Sequence, residues 1–277
     1  MAVFDNHFHL RPDGLGVGAA RQFEKAGGTA LMLTHSPYKD LPIRGPADYE
    51  AAFERTLGLA EAVRRETHLR VFVALGPYPV DLLPLREAVG LEAAVGVLTA
   101  GMDLAGRLVA EGRAVALGEV GRPHFPVDPE AWRASNEILS YAMEVARDRG
   151  CPVVLHTEDP TPAIFAEFAG MADRAGLPRD KVVKHHSTPL TRPEDNHGLV
   201  PSILAKEDLV GEALKGGARF LLETDYIDDP QRPGAVLGPA TVPRKTRAWL
   251  EKGLLTEELA AIVHKDLPER TYGIRVE

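Results

Sequence analysis

The chain of 277 residues has a single cysteine, Cys151, so no intramolecular disulfide can form and no cysteine cluster can bind a metal. Runs of 18 or more apolar residues are missing, and no membrane span is predicted. Positive charge is scarce as well: 32 Lys and Arg face 40 Asp and Glu, for a net charge of -8. That balance argues against a protein that coats nucleic acid electrostatically. The N-terminus enters Met1-Ala2-Val3-Phe4 without a basic region or an apolar signal core, which sets the expectation of a cytoplasmic protein. No G-x-S-x-G elbow, P-loop or H-E-x-x-H run occurs, so serine-hydrolase, P-loop ATPase and zincin readings lack their motifs.

One glycine motif does occur. Gly14, Gly16 and Ala19 formally fit the dinucleotide pattern G-x-G-x-x-A. That pattern needs an acidic residue about 20 positions on to hold a ribose. The next strand, Ala30 to Thr34, ends instead in His35-Ser36, and a nucleotide site is not expected here.

What the chain has in quantity is alternation. With 44% hydrophobic residues, it can bury a large core. Apolar strand candidates lie at Ala2–Phe4, Ala30–Thr34, Val71–Leu75, Ala114–Gly121, Cys151–His156, Lys181–His186, Leu199–Leu204 and Arg219–Asp225. Helical stretches separate them. Asp128-Pro129 and Thr161-Pro162 read as helix caps, with Gly150 and Gly176 as stops. Helical material from Pro84 to Gly112 is expected to break near Gly90 and Gly101. A proline- and glycine-rich loop, Tyr226 to Pro243, follows the last strand; it either covers a site or meets a second subunit. Eight strand–helix units in one undivided stretch predict an α/β fold, a single (β/α)8 TIM barrel over residues 1–277.

In such a barrel all strand C-terminal ends meet at one rim, where catalytic residues sit. His7 and His9, two apart on the first strand, project to one side. Glu119, His156, His185 or His186, and Asp225 also fall at or near strand ends. Scattered core residues would not terminate five strands with histidines and carboxylates. Buried charges of this kind need a partner, and divalent cations supply one. Imidazole with carboxylate suits zinc, manganese or iron; carboxylate with water suits magnesium. His35 and His124 stand just past strands two and four, placed to orient substrate or relay a proton.

The run Asp5-x-His7-x-His9, the strand Gly118-Glu119-Val120-Gly121, the strand Val153-Val154-Leu155-His156 and the triplet Glu223-Thr224-Asp225 together resemble the TatD family of the amidohydrolase-like metal-dependent barrels. The resemblance covers nearly the whole chain. It implies a metallo-dependent (β/α)8 barrel with a binuclear centre of two divalent ions, zinc, manganese or magnesium. Carried over by position, His7, His9 and Asp225 would bind one ion, and His156 with a strand-six histidine the other, Glu119 bridging. The family's single histidine after its apolar triplet aligns with His185; a slip of one residue would select His186. Asp225 would accept the proton of the attacking water.

The chain departs from the family pattern at three places. Gly76-Pro77-Tyr78-Pro79 replaces Gly-x-His-Pro, Glu158 stands where the family carries arginine, and Arg122-Pro123-His124 replaces an aspartate. Loss of a cation near Glu158 weakens phosphate binding there, and Lys39, Arg44, Arg122, Arg192 and Arg232 on rim loops are candidates to compensate. The expected function is a metal-dependent hydrolase of phosphodiesters, a nuclease working on a nucleic-acid end or a small molecule. The alternative keeps the site and changes the bond to a lactone, amide or phosphotriester. A barrel that binds metal without turnover is disfavoured, because every ligand position of the pattern is filled.

Overall fold

A computed structural model describes all 277 residues. Its strands are β1 (Phe4–His9), β2 (Ala30–Thr34), β3 (Arg70–Leu75), β4 (Ala116–Gly121), β5 (Val153–His156), β6 (Val182–Lys184), β7 (Val200–Leu204), β8 (Leu221–Glu223) and β9 (Tyr226–Ile227). Each pairs in parallel with its predecessor from β1 through β8, and β9 returns to pair with β1, Phe8 against Tyr226 and His9 against Ile227. Since β9 follows β8 after two residues, the ladder closes into the expected (β/α)8 TIM barrel. Helices cover its outside, which explains why most strands are buried throughout rather than alternating.

Two helix boundaries follow directly from their side chains. Asp128 accepts hydrogen bonds from the Glu130 and Ala131 amides ahead of helix Pro129–Arg149, and Gly150 ends it at φ 67°. Thr161 caps helix Pro162–Ala175 through the Ile164 amide, and Gly176 ends that one.

The first strand carries the histidine motif, as expected. Three sequence expectations need correction. The sixth strand ends at Lys184, and His186 turns away in the left-handed region at φ 47°. Tyr226 and Ile227 belong to the closing strand rather than to a loop. Helix Leu91–Ala110 begins after a true break at Gly90 but runs straight through Gly101. A side chain at Gly101 would come within 2.4 Å of the Tyr49 ring and 2.9 Å of Pro77, so this glycine allows close packing instead of ending the helix. Helix Leu91–Ala110 is long and apolar enough to cross a membrane, yet it lies in the barrel's outer layer against helices Pro46–Glu66, Leu82–Val89 and Pro129–Arg149.

The interior is layered. Phe4, Met32, Ala74, Val154, Val183 and Leu221 form part of an apolar floor, plugged by Leu267, Tyr272 and Ile274 from the C-terminal segment. Above the floor the lining turns polar, with Asn6, Ser202 and Glu223 fully buried. Behind the floor, His264 is also fully buried, between the Phe4 backbone and the Thr246 hydroxyl. Burial pushes its imidazole down to about 4 from an ordinary 6.5. Between pH 6.5 and 4 only the unfolded chain binds this proton, so stability falls as pH falls, by up to about 3 kcal/mol. Replacing His264 with Gln is expected to flatten that acid slope; melts of both proteins at pH 7 and 4.5 measure the difference.

Candidate metal centre

Strand ends from all around the barrel deliver their side chains to one point. His7 Nε2 lies 3.1 Å from His9 Nε2 and 3.2 Å from Glu119 Oε1. The same carboxylate oxygen lies 3.0 Å from His156 Nδ1 and 2.9 Å from His185 Nε2. Asp225 Oδ1 stands 3.6 Å from His9 Nε2. The result is overlapping groups that can hold a metal ion: His7, His9 and Asp225; Glu119, His156 and His185; and His7, His185 and Glu223. All six residues aligned from the sequence as ligands meet here. His186 does not join them: its half-exposed ring stands at the mouth, with Nδ1 3.1 Å from Asp225 Oδ2. The left-handed turn after β6 separates the two adjacent histidines.

The protonation pattern fits a cation. His9 Nδ1 faces the Thr34 carbonyl at 2.9 Å, an acceptor only, so Nδ1 carries the proton and Nε2 presents a lone pair to Asp225. His9 Nε2 and Asp225 Oδ1, both acceptors, then face each other at 3.6 Å, an arrangement that positive charge between them relieves. Burial acts to raise Glu119, but the charges of His156 and His185 and their hydrogen bonds outweigh it, holding the carboxyl well below its ordinary range. Burial likewise opposes ionisation of Asp225, and its hydrogen bond with His186 acts against that burial to hold the carboxyl low. His7 has a buried Nδ1 without a hydrogen-bond partner; its ring is fixed by stacking on His185, with centroids 4.0 Å apart.

Above these residues opens a cavity of about 560 Å³ with 18 lining residues, two of them hydrophobic. His124 belongs to its wall, and its Nδ1 lies 2.9 Å from His156 Nε2. Lys39 and Arg232 also line it, whereas Arg44 and Arg192 do not. Three candidates for substrate contact are placed elsewhere. Arg122 is buried against the Trp132 and Phe168 rings and pairs with Glu158 and Glu167, so neither Arg122 nor Glu158 reaches the cavity. His35 lies behind the wall on the Thr56 hydroxyl, and burial lowers it to about 3, a neutral packing residue. Cys151 is an inert buried thiol pushed up to about 11.

Sequence reasoning missed Glu223, Arg11 and Asp229. Glu223 Oε1 lies 3.3 Å from His185 Nδ1; two residues before Asp225, it follows from strand alternation. Arg11, two past His9, lines the cavity by the same periodicity. Asp229 is buried and gathers Lys39 at 3.3 Å, Arg232 at 3.3 Å and Arg11 at 3.8 Å, which no local pattern announces. The glycine-rich turn is accounted for as well. Its Leu15 and Gly16 amides, with that of Arg11, donate to the Asp228 carboxylate at 2.7, 2.8 and 3.1 Å. A protein carboxylate occupies the amides that a nucleotide phosphate would use.

Comparison with known proteins agrees with this geometry. The family model described as TatD related DNase matches residues 4–273, and the chain belongs to that family of metal-dependent hydrolases. It is 40% identical over its full length to an uncharacterized protein of Methanocaldococcus jannaschii, covering 98% of that protein. Among solved structures it resembles the TatD-like protein of Archaeoglobus fulgidus, with TM-score 0.60 and 17% identity over 98% of this chain and 100% of that one. It also resembles the phosphotriesterase homology protein of Escherichia coli, solved with phosphate in its active site, with TM-score 0.69 and 14% identity over 98% of both chains. At these identities the two structures speak for the fold.

Proposed function

We propose that His7, His9 and Asp225 hold one divalent ion and His156 and His185 a second, with Glu119 shared, and that the centre hydrolyses phosphodiesters at a nucleic-acid end or in a small molecule. Bound there, the ions supply Lewis acidity and lower the pKa of a water toward about 7. An imidazole-rich set favours zinc or manganese over magnesium. Asp225 is the proton acceptor for the attacking water, and His186 on its other oxygen leads that proton toward solvent. Tyr78 and His124, both near His156 Nε2, flank the position of the bound substrate.

The observation that carries the phosphodiester reading is the cavity's composition. An anionic substrate suits a wall bearing Arg11, Lys39 and Arg232, gathered on Asp229 beside the histidines. The second reading, a lactone, amide or phosphotriester hydrolase, is favoured by one feature: Arg122 is turned into Glu158 and Glu167, leaving no guanidinium beside His156.

End-labelled single-stranded DNA incubated with magnesium, manganese or zinc tests the choice. Metal-dependent trimming that is lost in Asp225→Asn supports the phosphodiester reading. Failure with all three ions, alongside turnover of a lactone or phosphotriester, would replace it with the second.

A further inference from the structure

Beneath the ligand cluster the barrel holds a chain of polar side chains with no part in the chemistry above. Tyr272, from the C-terminal plug, places its hydroxyl 2.8 Å from Asn6 Oδ1. Asn6 Nδ2 lies 2.9 Å from Ser202 Oγ, and Ser202 Oγ makes a short contact with Glu223 Oε2. Glu223 Oε1 accepts from the His186 amide at 2.7 Å and faces His185 Nδ1 at 3.3 Å. Asn6, Ser202 and Glu223 have no exposed surface.

The direction of every bond follows from one residue. Both oxygens of Glu223 are met by donors, Oε1 by the His186 amide and Oε2 by the Ser202 hydroxyl, so the group only accepts. Ser202 must therefore donate to it, which leaves the serine oxygen to accept from the Asn6 amide nitrogen. Asn6 then turns its carbonyl to Tyr272, which donates. At the other end, Glu223 Oε1 lies 3.3 Å from His185 Nδ1 without hydrogen-bond geometry; a proton held on that nitrogen leaves Nε2 free to face a cation beside Glu119. Glu223 has the distances of a metal ligand with His7 and His185, but both its oxygens already accept hydrogen bonds from the chain.

We infer that Glu223, Ser202, Asn6 and Tyr272 form a positioning relay that fixes the orientation and tautomer of His185, coupling the C-terminal plug of the barrel to metal affinity. None of the four touches substrate, and the metal-affinity part of the inference rests on the two-ion reading above. An outer carboxylate on a metal-bound histidine is worth 10–100-fold in affinity. Glu223→Gln is expected to weaken zinc binding by about that factor, because its amide can donate to Nδ1 and reverse the tautomer. Tyr272→Phe, which removes only the terminal donor, is expected to cost about threefold, scaled down from the same effect.

The test combines competition of zinc against a chromophoric chelator with ¹⁵N NMR of the histidine rings, in zinc-loaded and metal-free protein. Ile274→Val, another change in the plug, serves as the packing control. The relay predicts graded loss of affinity through Tyr272→Phe and Glu223→Gln, a proton on His185 Nδ1 in wild type that Glu223→Gln displaces, and no change in Ile274→Val. Affinities within twofold of wild type with an unmoved Nδ1 proton would overturn it, as would equal weakening by Ile274→Val. If wild type binds no zinc, the two-ion reading fails, and the Nδ1 proton of the metal-free proteins alone decides the relay.

Discussion

Asp225→Asn is expected to lower kcat by about 10³-fold at saturating metal, on whichever substrate the protein turns over. Asparagine keeps the shape of the side chain and one oxygen toward His9, but it removes the negative charge and the capacity to take a proton. The position is demanding: Asp225 sits at φ 49° between β8 and β9 and meets His9 on one oxygen and His186 on the other. Steady-state kinetics at several metal concentrations separate the two contributions. A loss that excess metal restores identifies Asp225 as a ligand only. A loss that persists at saturation assigns it the proton, and activity within threefold of wild type would remove it from both roles.

The second large effect concerns Glu119→Gln. One oxygen of Glu119 approaches nitrogens of His7, His156 and His185 at 3.2, 3.0 and 2.9 Å, so one substitution removes the shared charge from both halves of the centre. Metal affinity is expected to fall by at least about 100-fold, more than for loss of an outer partner. Because metal bound to the folded state stabilises it by mass action, a 100-fold loss appears as about 2.7 kcal/mol less stabilisation at the same free ion concentration. Thermal melts of wild type and variant, with manganese and with chelator, read this directly. Equal metal-induced shifts in the two proteins would show that Glu119 does not hold the ions.

Much of this was legible in the chain because its signals are local. The His7–His9 spacing, the caps at Asp128 and Thr161, and carboxylates or histidines ending apolar runs depend only on strand and helix periodicity. They were enough for the barrel, and with the resemblance they brought together the six residues around Glu119. What periodicity does not carry is direction once a strand has ended. His185 and His186 are adjacent and chemically identical, and only the left-handed turn at His186 distinguishes them. Arg122 looked like a rim cation, but Trp132, Phe168, Glu158 and Glu167, from other elements, draw it away from the cavity. Gly101 looked like a break until Tyr49 and Pro77 were seen against it. Glu223 was overlooked for a different reason: strand alternation places it inward, but a carboxylate beneath the rim has no meaning until Ser202 and His185 are known to flank it.

The central claim is that the rim cluster is a two-ion centre. It is tested most directly by titrating chelator-treated protein with zinc or manganese and counting bound ions per chain, beside Glu119→Gln. The account predicts two equivalents in wild type and loss of tight binding in the variant. No tight binding in wild type, or an unchanged stoichiometry and affinity in the variant, would contradict it.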